Sequence, residues 1–233
     1  MRVRAESEPV VVDFPLRGEW VAGHTPAERI PSHGSDQLGQ RFAYDFLRIE
    51  REKKGWKFFR ASGTAYALIG VRLEDCHGWG APIFAPFDGS VISANDGWPE
   101  RRRLHFLTDM AVVIKNALFF DPRKGDLRPV LGNHIILKMK GSEIYAFFAH
   151  ARRDSVRVHA GDEVVCGQHL ADVGHSGNST APHLHFHLMD RPNILEAQGV
   201  PCSFREYQVL DDGTWKAVTD GIPAKREFVR YGA

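Results

Sequence analysis

The sequence predicts an all-β fold: a mainly antiparallel folded sheet or sandwich with a substrate groove and little helix. Three observations predict it. Short apolar runs alternate in polarity, as in Gln40 to Ile49, where Phe42, Tyr44 and Phe46 share one face and Ala43, Asp45 and Leu47 the other. The 22 glycines and 13 prolines supply tight turns between short strands. Pro182-His183-Leu184-His185-Phe186-His187 sets three imidazoles on one face of a strand and Leu184, Phe186 and Leu188 on the other.

In chain order, Val10-Val11-Val12 is a β-branched first strand, and Pro15 to Trp20 a turn with an aromatic anchor. Gly23 to Gln40 is polar and irregular, and a structureless loop of that length is usually functional or disordered. The charged run from Glu50 to Gly63 reads as an exposed excursion. Asp88-Gly89 between apolar runs predicts a hairpin, the strongest short-range signal of its kind. Asn95 to Gly132 reads as an insertion near the groove. Leu104, Leu107, Ala111, Ile114 and Leu118 fall at helical spacing there, with strands at Val112–Ile114 and Leu118–Phe120 as the alternative. Arg101-Arg102-Arg103 reads as a surface cluster and takes no chemistry. A second hairpin is expected from His134–Met139 and Ile144–His150, with Ala146, Phe148 and His150 on one face. A third turn is expected at Ala160-Gly161-Asp162, and a closing hairpin across Asp211-Asp212-Gly213. These boundaries divide the chain into an N-terminal strand and loop over 1–29, a β domain over 30–190 with its insertion at about 95–132, and a C-terminal extension over 191–233.

Composition sets limits on function. A net charge of +1 argues against a nucleic-acid binder, and no apolar run has transmembrane length. No Gly-rich phosphate loop follows a strand. Cys76, Cys166 and Cys202 are odd in number and form no close pair, so they read as free, buried small hydrophobes rather than a disulfide framework or a Cys-rich zinc site.

The chemistry gathers on histidine. A catalytic zinc takes three protein ligands and keeps one position open, and imidazole is the commonest metal ligand. Among twelve histidines, His150, His183, His185 and His187 sit on strands backed by apolar residues. Asp45 faces apolar neighbours, and a carboxylate there needs a partner, either an arginine or a metal.

Gly177-Asn178-Ser179-Thr180-Ala181-Pro182-His183-Leu184-His185-Phe186 resembles the most specific motif of the lysostaphin-type (LytM-like) zinc metallopeptidases, many of which cut peptides in bacterial peptidoglycan. Gly80 to Val91 and Phe148-Ala149-His150 with Val158 to Gln168 resemble two further stretches of that family, so the likeness spans roughly residues 30–190. The resemblance implies one Zn2+ per chain, with His185 and Asp45 as ligands and His183 and His150 as catalytic histidines. One position departs from the family pattern: Arg41 stands where a ligand histidine is usual, and a guanidinium cannot bind zinc. His33, in Pro31-Ser32-His33-Gly34, is the replacement expected, with His24 second; the metal set is then His33, Asp45 and His185. His187 is expected in a supporting or solvated position, and His175 on the loop surface. Trp79 or Phe106 is expected to shape the groove.

The function implied is a zinc endopeptidase whose water attacks a peptide carbonyl, with peptidoglycan peptide as partner. The alternative is a degenerate LytM-like binding or activator module that has lost zinc, as Arg41 would signal. Met1 to Pro9 carries no apolar leader core. The expected location is therefore extracytoplasmic if a leader is missing, and cytoplasmic otherwise.

Overall fold

The computed structural model describes residues 8–50, 57–119 and 125–232. The N-terminal part supplies β1 (Val10–Val12), β2 (Gly18–His24) and β3 (Tyr44–Leu47). Next come helix α1 (Gly63–Leu68), β4 (Val71–Arg72), β5 (Pro82–Phe84), β6 (Gly89–Asn95) and β7 (Arg103–Leu104). Helices α2 (Phe106–Phe119) and α3 (Arg128–Leu131) lead to β8 (Asn133–Met139) and β9 (Tyr145–Ala151). After β10 (Glu163–Val164) and β11 (His169–Asp172) comes β12 (His183–Met189). The chain closes with β13 (Gly199–Val200), β14 (Cys202–Asp211), β15 (Thr214–Gly221) and β16 (Phe228–Tyr231).

The fold is mainly β, as expected. Twelve strands form one sheet whose path runs β1-β14-β16-β2-β3-β12-β9-β8-β6-β10, with β13 on β12 and β15 on β14. Among the described strands, only the β1–β14 pairing is parallel. One face packs Phe14, Trp20, Phe46, Phe148, Phe186 and Phe204 into the main core, and the β5–β11 ribbon closes over it with Ile83, Leu170 and Ala171. These large rings leave almost no surface in water, which is the dominant favourable contribution to such a fold. A smaller core around Phe147, Ala149 and Met189 lies on the opposite side of the central strands. A third, around Phe59, Val71, Leu73 and Leu104, supports α1 and its neighbours.

The β8–β9 and β14–β15 hairpins form where the turn residues place them. Other local expectations fail. Asp88-Gly89 makes no hairpin: β5 pairs with β11, whereas β6 pairs with β8 and β10, so the chain crosses between sheets at that turn. A Cβ at Gly89 would lie 2.0 Å from the Lys138 carbonyl oxygen, a close approach only glycine allows. The strand expected over 40–49 is cut to β3, because Gln37–Phe42 turns as 3-10 helix. The insertion forms α2 by the helical spacing, not the alternative strand at Val112–Ile114, while Phe120 lies outside the described residues. Of the exposed excursion expected between Glu50 and Gly63, 51–56 lie outside the described residues, and Phe59 is buried in the third core rather than exposed. Cys76 and Cys202 are buried thiols, but Cys166 is exposed beside Asp13, its Sγ 2.8 Å from Oδ2.

Candidate active site

Strand register builds the centre. Asp45 on β3 is the register partner of both His185 on β12 and His24 on β2. Three adjacent strands thereby align an imidazole, a carboxylate and an imidazole in one row. His24 joins the row because the β2–β3 register shifts between Ala22 and His24. Gly23 sits at that irregularity, where a Cβ would be 2.4 Å from Leu47 Cδ1. The irregular loop between β2 and β3 then brings His33 in from the side.

Asp45 is buried and surrounded by imidazole nitrogens. Its Oδ2 lies 2.9 Å from His24 Nδ1 and 2.9 Å from His33 Nε2. Its Oδ1 lies 2.9 Å from His185 Nδ1 and 3.5 Å from His183 Nε2. Burial alone would raise the carboxyl pKa, but charge from His33 and His183 and hydrogen bonds from His185 and His24 outweigh it and hold Asp45 well below its ordinary range. Burial lowers the pKa of His185 despite its hydrogen bond to Asp45. His24 moves upward, because its hydrogen bond to Asp45 outweighs its partial burial.

Neighbouring groups fix the rings. Ser32 Oγ lies 3.0 Å from His33 Nδ1, which leaves Nε2 to face Asp45. His187 Nδ1 lies 3.2 Å from His185 Nε2, which leaves His185 Nδ1 to face the carboxylate. Partners of this kind set the tautomer and orientation of metal-binding imidazoles. The solvated reading of His187 is thus corrected: the side chain is fully buried between His185 and Phe147.

His183 and His150 stand side by side, their ring centroids 4.8 Å apart. His183 Nδ1 lies 2.7 Å from the Ala181 carbonyl, and His150 Nδ1 lies 2.9 Å from that of Ser176. Each ring therefore donates Nδ1–H to the backbone and keeps Nε2 for the cleft. His150 reaches this face by a route that alternation does not predict. By register it would lie opposite Leu184 and point into the apolar core with Phe148. Instead, the β8–β9 register shifts between Asn133 and Ile135, a β-bulge, and His150 takes a left-handed φ of 64°. The bulge re-aims the ring, so Phe148 and His150 do not share a face. Such strain costs on the order of 1–3 kcal/mol and tends to collect at functional sites. Burial drives the His150 pKa well below that of a free imidazole.

The loop before β12 is tied to the insertion. Arg101 Nε lies 2.6 Å from Asp109 Oδ1, and its guanidinium also reaches His175 Nε2 at 3.0 Å and the Gly177 carbonyl at 3.1 Å. His175 Nδ1 lies 3.0 Å from Ser179 Oγ, which lies 3.1 Å from His183 Nδ1. Two readings are corrected here: His175 is fully buried rather than on the surface, and Arg101 is an internal tie rather than a surface charge. Gly177 packs directly on the start of β8, where a Cβ would be 2.4 Å from Gly132 N. That backbone contact holds the loop that supplies the His150 acceptor.

His33, Asp45, His150, His183 and His185 all converge on one cleft of about 180 Å³, together with Asn178, Thr180 and His187. Arg41 does not join them; it pairs with Asp36 at 2.9 Å outside the cleft. His24, His33 and Asp45 each bring one ligand atom within 4.8 Å of the others, so both histidines weighed for the third ligand reach the carboxylate. The His24 side chain is 45% exposed at the rim and His33 only 16%. A buried carboxylate among imidazoles is donor chemistry that suits a divalent transition metal. Phe106 lines the neighbouring cavity as expected, whereas Trp79 hydrogen-bonds Glu100 away from the cleft. Sequence reasoning missed the supporting roles of Ser32, Ser179 and Asp109, whose partners are set by the fold.

Fold and centre together define a β-sheet protein with a buried His/Asp cluster that could hold a metal ion. Residues 122–197, which include His150, His183 and His185 but not Asp45, match the model of Peptidase family M23. This bears out the resemblance to the lysostaphin-type, LytM-like peptidases. Solved structures similar to this chain include a zinc-containing peptidase from Vibrio cholerae, 18% identical over 82% of this chain and 41% of its own, with a TM-score of 0.40. Lysostaphin is 20% identical over 68% of this chain and 40% of its own, with a TM-score of 0.36. The catalytic domain of the prophage-encoded M23 protein EnpA from Enterococcus faecalis is 18% identical over 84% of this chain and 92% of its own, with a TM-score of 0.38. The chain spans only about two-fifths of the length of the first two. No described helix is long and apolar enough to cross a membrane.

Proposed function

We propose that this chain is a zinc-dependent endopeptidase that cuts peptide bonds in peptidoglycan cross-links or stems, outside the cytoplasm. The observation that carries the reading is Asp45, buried between His33 and His185 in a cleft that His183 and His150 also line, both with Nδ1 held by the backbone. His33, Asp45 and His185 would hold the metal, with His24 at the rim. Bound there, zinc supplies a Lewis acid that polarises a carbonyl and makes water acidic near neutral pH. The remaining work falls to the chain's own residues. With Nδ1–H held by the backbone, His183 and His150 turn an acceptor Nε2 to the cleft, where one of them would take a proton from the attacking water. One of them then passes its proton to the departing amine. Thr180 and Asn178 line the cleft where the substrate backbone would lie.

The competing reading, a degenerate binding module, drew its support from Arg41. Two histidines at Asp45 weaken that support, since the carboxylate does not depend on position 41 for imidazole partners. The test is digestion of purified peptidoglycan by zinc-loaded protein, with new amino termini mapped by mass spectrometry. New termini are expected with the wild-type protein and not with His183→Ala. Unchanged peptidoglycan, with tight binding to it, would favour the degenerate module.

A further inference from the structure

The loop from His175 to Ala181 turns its carbonyls two ways. Those of Ser176 and Ala181 accept from His150 Nδ1 at 2.9 Å and His183 Nδ1 at 2.7 Å. Those of Gly177 and Ser179 accept from one guanidinium, that of Arg101, through Nη1 and Nη2. Arg101 is paired with Asp109 of α2, and their side chains are only 24% and 3% exposed. The second Asp109 oxygen, Oδ2, accepts from the His105 backbone N–H at 2.8 Å. A buried ion pair is weak evidence for added stability. A planar fork of donors, in contrast, is well suited to setting geometry.

The fork also sets proton positions. A guanidinium only donates, so His175 Nε2, 3.0 Å from Arg101 Nη2, is an acceptor and His175 carries its proton on Nδ1. A proton on Nε2 instead, aimed at Asp109 Oδ1 at 3.3 Å, would bring two donors face to face at the shorter distance. His175 Nδ1–H thus donates to Ser179 Oγ at 3.0 Å. Ser179 passes its own hydroxyl proton to the Ala181 carbonyl at 2.7 Å and offers a lone pair to His183 Nδ1 at 3.1 Å. His183 therefore meets acceptors at Nδ1. Asp45 Oδ1, 3.5 Å from His183 Nε2, pulls the other way and would favour a proton there. The partners of one ring nitrogen decide which nitrogen is protonated, so the loop decides this contest.

We propose that Arg101 is a positioning residue: by gathering the carbonyls of Gly177 and Ser179, it makes the loop present those of Ser176 and Ala181, and so fixes the proton of His150 and His183 on Nδ1. This rests on the peptidase reading, in which both rings keep an acceptor Nε2 for the cleft. It gives the insertion a part in the reaction without contact with substrate.

Nitrogen NMR of 15N-histidine-labelled, metal-free protein, recorded at about pH 8 and so above the free imidazole value, reads the tautomer of each ring. His150→Gln and His183→Gln assign the signals. The wild type is expected to show Nδ1–H in both rings. The double variant Arg101→Gln with Asp109→Asn removes the fork and its charge together, and Arg101→Lys keeps the charge but not the fork. Each is expected to show the Nε2–H form in one ring or both, with the fold retained by circular dichroism; Arg101→Lys carries the test if the double variant does not fold. Zinc-loaded variants are expected to hydrolyse peptidoglycan with kcat roughly 10–100-fold lower and KM little changed. Nδ1–H kept by both rings in the folded variants overturns the proposal, whatever their unfolding midpoint, and so does unchanged kcat in a variant whose tautomers shift. Shifted tautomers in a protein whose wild type cuts no peptide support the clamp and overturn the peptidase reading instead.

Discussion

On one face of β12, Leu184, Phe186 and Leu188 are sealed into the main core; on the other, His183, His185 and His187 are nearly as deeply buried. Depth does not separate the two faces. Their partners do. The apolar face meets Phe46, Phe148 and Phe204, so its burial stabilises the fold without directional demands. The imidazole face has a directional partner at every ring: Asp45 and His187 for His185, and Ala181 and Ser179 for His183. Burying polar groups without such partners would cost several kcal/mol. One strand thus anchors the sheet and presents a row of imidazoles, and hydrogen-bonding neighbours hold that row in place.

The difference between the faces can be broken from either side. The largest effect is expected from His183→Ala. Peptide hydrolysis should fall roughly 10²–10⁴-fold, with bound zinc and the thermal unfolding midpoint retained. Loss of zinc in that variant would mean that His183 is a ligand and the site a closed one. On the opposite face, Phe186→Ala should cost about 3–5 kcal/mol of stability in urea unfolding, because the surrounding rings cannot collapse into the void. A loss under about 1 kcal/mol would show that this face is not the structural one.

A subtler test sharpens the division within the imidazole face itself. His187→Ala leaves Asp45, His33 and His185 intact but removes the group facing His185 Nε2. Zinc affinity measured by competition with a chelator should weaken by roughly 10–100-fold, the usual effect of losing an outer partner. Complete loss of binding would place His187 among the ligands.

The smallest expected effect is in the pH dependence of the metal-free protein. Burial lowers the pKa of His150, His185 and His187, so the unfolded chain binds more protons than the folded one once the pH falls towards the free imidazole value of about 6.5. Stability should then drop as the pH is lowered through that range. The raised pKa of His24 acts in the opposite sense: its contribution is full below the free imidazole value and is lost as pH rises through its own. Asp45, held low, keeps its contribution until the pH falls below the free carboxylate value. Urea midpoints between pH 8 and about 5 check the sign, and a midpoint that rises on acidification would contradict it.

Much of this was legible in the sequence because strand alternation is local. The row from His183 to His187 announces its own two faces, and the alternation around Asp45 places a carboxylate where it needs partners. Turn chemistry located the β8–β9 and β14–β15 hairpins for the same reason. What was not legible depends on register and on distant partners. Asp88-Gly89 marks a turn but cannot say which strands pair across it. The bulge that turns His150 out of the core is a one-residue mismatch with β8, invisible in β9 alone. Arg101, Asp109, His175 and Ser179 lie on separate stretches of the chain and meet only in the fold. Exposed-looking charge in the insertion therefore turned out to be a tie to the loop before β12.

The central claim is that Asp45, with His33 and His185, makes a metal centre despite Arg41. It is tested most directly by loading purified protein with zinc, removing excess metal and measuring the stoichiometry for the wild-type chain and for His33→Ala. The account predicts about one zinc per chain in the wild type and almost none in His33→Ala. Near-zero zinc in the loaded wild-type protein, or full retention in His33→Ala, would contradict it.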